Sequence, residues 1–231
     1  DPCLPAIPKQ GRRPSFEAKV ATLAQLHNAD YEAIGLGDFG KPGNYFERQI
    51  SRWTKQYQLS ETQNVDTMNK LIEWLPKNIP HDDANSIVHG DFRLDNMVLH
   101  PTEPKVAAVL DWELSTLGHP LGDFTYHLMQ WYMPADGAST QTLEGADFEA
   151  LNIPTAEEYT RLYCEHTQRE GIQNMDYYIS YNMFRLAGIL QGIVGRVRDG
   201  TASNAHAAAM ADRVAPLANV GWHYAQKAGA V

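Results

Sequence analysis

The chain has 231 residues, 43% hydrophobic and 20% charged, which excludes a disordered or low-complexity polymer and fits one large domain or two small ones. Nineteen Lys and Arg against 28 Asp and Glu leave a net charge of -9, and with no basic run beyond Arg12-Arg13, nucleic acid is excluded as a partner. Apolar runs stop at about five residues, far short of the ~20 that a membrane-spanning helix needs, so no membrane partner is expected.

The two cysteines, Cys3 and Cys164, cannot build a disulfide framework and fit a reducing, cytoplasmic setting. No signal peptide opens the chain. It begins at Asp1 rather than Met, which reads as a fragment or a processed chain.

In chain order, the Pro-rich residues 1–14 read as an extended lead-in. Ser15 then caps a predicted helix through Asp30, with Phe16, Val20, Leu23 and Leu26 at helical spacing. The glycines between Gly35 and Gly43 mark a loop. Asn44 caps a second helix with Phe46, Ile50, Trp53 and Tyr57 on its apolar face. A third runs over 61–77 and is stopped by Pro76 and Pro80. The pattern changes at Ser86: Ile87-Val88, Met97–Leu99 and Val106–Leu110 are short runs rich in β-branched residues, so 86–113 reads as a small β insert. Helices return over 123–133. A loop covers 134–154, and Thr155 with Glu158 has the spacing of a capping box for a helix through Glu170. Two more helices are predicted over 176–198 and 203–228. The sum is an α+β domain, mostly helical, with a small β hairpin in its middle.

The chemistry concentrates in His89-Gly90-Asp91-Phe92-Arg93-Leu94-Asp95-Asn96, followed by the hairpin and then Asp111-Trp112-Glu113. A strand ends at Val88 and another begins at Met97, so Asp91 and Asn96 stand at the two ends of one loop. The hairpin returns the chain so that Asp111 emerges beside that loop. Two carboxylates and an amide oxygen are hard ligands suited to Mg²⁺, which takes one or two protein groups and completes its shell with phosphate oxygens. A carboxylate left free of metal can accept a proton from a hydroxyl.

The string IVHGDFRLDNMVLH followed by VAAVLDWELSTLGHPLGDFTYHL resembles the aminoglycoside phosphotransferase family, the small-molecule branch of the protein kinase-like fold, which also includes choline kinases. The segment DYEAIGLGDFGKPGNYFERQISRW resembles the subgroup that also occurs fused to acyl-CoA dehydrogenases. The resemblance implies a kinase-like fold, ATP and Mg²⁺ as cofactors, and a small-molecule hydroxyl as phosphate acceptor. By it, Asp91 is the catalytic base, Asn96 and Asp111 hold the metal and nucleotide, His89 braces the loop, and Asp123 pins the loop from the following helix. Arg93 stands where protein kinases place a phosphate-contacting Lys, and is the corresponding candidate. The acceptors implied are aminoglycoside-like, a hydroxyacyl-CoA or another metabolic alcohol.

Other features read as ordinary structure. Asp95 is a loop-bracing or solvent carboxylate rather than a ligand. His119, His127, His166 and His223 lack metal-ligand spacing, and Trp53, Trp74, Trp131 and Trp222 belong with the apolar faces. Glu158, Tyr177, Tyr178 and Arg185 are weak candidates for an acceptor pocket. Gly35–Gly40 imitates a phosphate loop and a D-F-G, but no strand precedes it and no strand Lys follows, so it is a loop between helices. A kinase-like fold also needs a small lobe with a glycine-rich loop, a Lys and a Glu. Residues 1–85 read as helices instead, so residues 1–231 are expected to be the large, C-terminal lobe alone and inactive by themselves. The rival reading is a kinase-like module that binds without catalysing, although Asp91, Asn96 and Asp111 are all present. A protein kinase is disfavoured because Gly90 replaces the usual Arg and no A-P-E follows Asp111.

Overall fold

The computed structural model describes residues 3–135, 142–201 and 207–231. Its helices are α1 (Lys9–His27), α2 (Tyr45–Ser60), α3 (Asp66–Trp74), α4 (Pro120–Leu128), α5 (Phe148–Leu151), α6 (Ala156–Thr167), α7 (Met175–Arg198) and α8 (Ala211–Lys227). The strands are β1 (Ser86–Val88), β2 (Met97–Leu99), β3 (Val106–Val109) and β4 (Thr116–Gly118). None of these helices is long and apolar enough to cross a membrane.

The chain divides into two compact units, one of residues 1–43 and 83–173, the other of 44–82 and 174–231. The first holds both sheets. β1 pairs antiparallel with β4, placing Ile87 opposite Leu117. β2 pairs antiparallel with β3, placing Met97 opposite Val109, with an irregularity between Val98 and Leu99. α1 packs on α6 and β1, and α4 also packs on β1. Their interior is aromatic: Phe124 stacks on Tyr163 at 4.0 Å, and Phe16 meets Trp131 and Tyr159 edge-on. In the second unit α7 lies against α2 and α8, and α8 also against α3. Phe46 there sits among Tyr177, Tyr178 and Tyr181.

The predicted α+β class, helix-rich with short strands, is the observed one, with several differences in detail. α1 starts six residues before Ser15, at Lys9. Pro14 sits inside it and forfeits one helical bond, while the Ser15 hydroxyl donates to the Gly11 carbonyl at 2.8 Å instead of capping. α3 is shorter than predicted because Val65 is extended, at φ -122°. β4 was not anticipated, and it turns one β insert into two separate two-stranded sheets. The capping box forms as the spacing predicts: the Thr155 hydroxyl accepts from the Glu158 N–H, and the Glu158 carboxylate from the Thr155 N–H. The predicted start of the last helix, 203–206, lies outside the described residues.

Candidate active site

The loop from His89 to Asn96 leaves β1 and enters β2, and a buried carboxylate ties its first residues down. Asp123, on the first turn of α4 and 1% exposed, accepts the backbone N–H of His89 at 2.6 Å and that of Gly90 at 3.0 Å. His27, the last residue of α1, places its Nε2 3.4 Å from the same carboxylate and its Nδ1 2.7 Å from the Tyr163 hydroxyl. Burial alone raises the pKa of a carboxyl. Here the His27 contact and the two loop N–H groups outweigh it and hold Asp123 below its ordinary value.

Gly90 is required where it stands. Its φ is +84°, and a Cβ there would meet the Leu114 carbonyl oxygen at 2.6 Å, so the loop and the segment after Asp111 touch backbone to backbone. The Asp91 N–H donates to His89 Nδ1 at 3.2 Å. The ring proton therefore sits on Nε2, which donates to the Leu110 carbonyl at 2.8 Å. His89 thus links the Asp91 end of the loop to the residue before Asp111, with the Trp112 ring 4.7 Å away. Phe92, fully buried, anchors the middle of the loop between the rings of His89 and His127.

The Asn96 amide nitrogen donates both to the Asp91 carbonyl and to its carboxylate Oδ2, each at 2.9 Å. This commits the Asn96 nitrogen and leaves its oxygen as the atom offered to a cation. The Leu110 N–H donates to the Asn96 carbonyl at 2.8 Å, which sets the next residue, Asp111, beside the loop. Asp111 is exposed and left-handed, at φ +64°, and among the described residues its carboxylate has no hydrogen-bond partner. A non-glycine residue there costs about 1–2 kcal/mol, the kind of strain found where a side chain must be aimed. One amide oxygen and one exposed carboxylate are a donor set that fits Mg²⁺ with phosphate oxygens completing its shell.

Arg93 Nη2 lies 2.6 Å from Asp95 Oδ2, with both side chains about half-exposed. Burial disfavours the guanidinium charge, yet Asp91, Asp95 and Tyr126 outweigh it and raise the pKa above its ordinary value. Asp95 therefore braces Arg93, in line with its reading as a loop carboxylate.

The weak acceptor candidates go elsewhere. Glu158 is taken up by the capping box and by Arg13 at 2.9 Å. Tyr177 and Tyr178 are core residues, and the Tyr177 hydroxyl donates to the Leu75 carbonyl at 3.0 Å. Arg185 is buried with its guanidinium over Trp53. His119 caps α4, His127 is buried, and His166 and His223 face solvent. Gly40, in the phosphate-loop imitation, packs so tightly on β4 that a Cβ would lie 2.6 Å from the Leu117 nitrogen. His27 was missed. It looks like any basic residue at a helix C-terminus, and its partner is 96 residues away.

The model of the phosphotransferase enzyme family (APH) matches residues 9–163. Acyl-CoA dehydrogenase family member 10 of Mus musculus is 40% identical over 229 residues, covering 99% of this chain and 21% of that protein. Member 11 of Homo sapiens is 39% identical over 223 residues, 96% of this chain and 28% of that protein. The chain thus spans about a quarter of the length of these curated relatives. The crystal structure of a presumptive aminoglycoside phosphotransferase from Ralstonia eutropha is 51% identical, with a TM-score of 0.92 over 98% of this chain and 69% of that one. A choline kinase from Cryptosporidium parvum, 11% identical with a TM-score of 0.59 over 92% of this chain and 64% of that one, shares the fold alone. With the family model matched over residues 9–163, more than half of its length, the chain belongs to the phosphotransferase enzyme family.

Proposed function

We propose that the chain carries the catalytic loop of an ATP- and Mg²⁺-dependent phosphotransferase that acts on a hydroxyl of a small molecule. The observation that carries this reading is the Asn96 bond to the Asp91 carboxylate, on a loop tied to Asp123. In that role Asp91 orients the acceptor hydroxyl and accepts its proton. The Asn96 oxygen and Asp111 hold Mg²⁺, and Arg93 sets a fixed positive charge beside the transferred group. Bound Mg-ATP supplies the γ-phosphoryl group and part of the charge that offsets its oxygens. The similarity to acyl-CoA dehydrogenase family members favours a hydroxyacyl-CoA or another metabolic alcohol as acceptor. The acidic net charge also suits a cationic, aminoglycoside-like one.

The reading includes the assignment of these residues to the large lobe, with most nucleotide contacts supplied by a small lobe outside residues 1–231. Its support is an apolar surface around the loop: Val98, Leu110, Trp112 and Leu114 are 44%, 48%, 44% and 39% exposed, the kind of patch that a second lobe would cover. Phosphorus NMR of Mg-ATP with a panel of hydroxyl acceptors tests both parts. The full-length protein is expected to form a phosphate ester on one acceptor class, and residues 1–231 alone none. Absence of any ester with the full-length protein contradicts phosphotransfer, and transfer by residues 1–231 alone contradicts the lobe assignment.

A further inference from the structure

We infer that a basic cleft between α2 and α7, in the second unit, binds a small molecule carrying linked phosphates. The two helices run parallel and close: Gly188 faces Trp53, Gly192 faces Gln56, and Gly195 faces Ser60, where added Cβ atoms would meet those residues at 3.7, 2.7 and 2.6 Å. With so little bulk in the seam, side chains on either side wall a cavity of about 420 Å³, within the ~300–1,000 Å³ range of small-molecule sites and roomier than one orthophosphate requires. Arg52, Lys55, Arg196 and Arg198 line it against a single carboxylate, Asp199.

That balance is opposite to the chain's net charge of -9. Arg198 has a structural task, since its guanidinium pairs with Asp199 and reaches the carbonyls of Leu59 and Glu61 at the end of α2. The other three have no such partner. Among the described residues no carboxylate pairs with Arg52, Lys55 or Arg196, and Arg52 only leans over the Trp53 ring, at 5.4 Å. Arg196 is in the last turn of α7, where a cation is favoured by the helix dipole. Arg52 and Lys55 are not in the last turn of α2. They stand one turn apart, an arrangement that repels unless an anion lies between them and the facing helix. Two guanidinium forks and an ammonium around one cavity match several phosphate oxygens at once. Leu59, 70% exposed on the rim, offers an apolar contact to whatever carries the phosphates.

The test is calorimetry on the 231-residue chain in EDTA, where the loop at Asp91 has no metal with which to hold phosphate. The probes are orthophosphate, pyrophosphate and ADP. Saturable pyrophosphate or ADP binding is expected, weakening as salt rises and falling at least ~10-fold in R52E/R196E, with circular dichroism unchanged and Tm moved by only a few degrees, because both residues are exposed and only helix-end and neighbour charges change. Pyrophosphate binding as tightly as ADP identifies inorganic phosphates as the occupant. Tighter ADP identifies a nucleotide-like one using the Leu59 rim. If R52E/R196E fails to fold, R52Q and K55Q are each expected to weaken binding. No saturable binding, orthophosphate equal to pyrophosphate, or binding untouched by these substitutions overturns the inference.

Discussion

Around Phe46, in the unit of residues 44–82 and 174–231, three tyrosine rings pack within about 6 Å and helices do the rest. Around Asp123, in the other unit, the arrangement rests on a fully buried carboxylate, two loop N–H groups and His27. Apolar packing is non-directional and tolerates small shifts. A buried polar network has one satisfied geometry and is costly when half-made. The loop that carries Asp91 is held by the second device, so its shape is set to within a hydrogen bond rather than a van der Waals gap.

Removing the anchor of that network should have the largest effect. Asp123→Ala leaves the N–H groups of His89 and Gly90 buried without an acceptor, and is expected to lower stability by about 3–5 kcal/mol in urea unfolding. The same carboxyl has a depressed pKa in the folded state. Its contribution is present above the unfolded value near 4 and is lost as pH falls through the lower folded value, so the wild type should weaken in acid and the mutant should show less of that weakening. A stability loss of only a few tenths of a kcal/mol would break the contrast between the two units.

Gly90→Ala should come next, costing about 2–3 kcal/mol, because it adds a Cβ against the Leu114 carbonyl at positive φ. Equilibrium unfolding checks it, and a neutral result would mean that the loop and the Leu114 segment are not in contact.

Lys19 is the opposite case, a buried polar group that no network satisfies. It is fully buried in the first unit, its Nζ has no hydrogen-bond partner among the described residues, and it lies 3.7 Å over the Phe16 ring. Burial lowers its pKa to about 7. Nearby, His127 is held neutral by burial first and the Lys19 charge second, against a backbone hydrogen bond at Phe92. A buried polar group outside any network destabilises, so Lys19→Met should raise stability by about 1–3 kcal/mol. Between the folded value near 7 and the unfolded value near 10.4, the unfolded chain holds more protons. Lys19 therefore adds a component of stability that rises with pH across that window, and in thermal melts the wild type should gain on Lys19→Met as pH goes from about 7 toward about 10.

The loop was legible in the sequence because its residues are local: eight consecutive positions and a short hairpin set Asp91, Asn96 and Asp111 in order, and Gly122-Asp123 follows at once. The helices with clean apolar periodicity were legible for the same reason. What escaped has a physical cause in each case. β4 is three residues with a glycine, too short to alternate. α1 starts early because a proline in the second turn removes only one bond and the rest of the helix outweighs it. His27 gave no signal because its role exists only once α1 and α4 are folded together. Tyr177, Tyr178 and Arg185 carry polar atoms that suggest a pocket, but their rings and stems are used for packing, which composition alone does not distinguish.

Whether the tethered loop presents Asp91 as the base of phosphoryl transfer is decided by the turnover of Asp91→Ala in the full-length protein under saturating Mg-ATP. Turnover should fall by at least ~10²-fold, since a positioned base contributes ~10²–10⁴, while nucleotide affinity is largely kept. Equal turnover in the two proteins would contradict the claim.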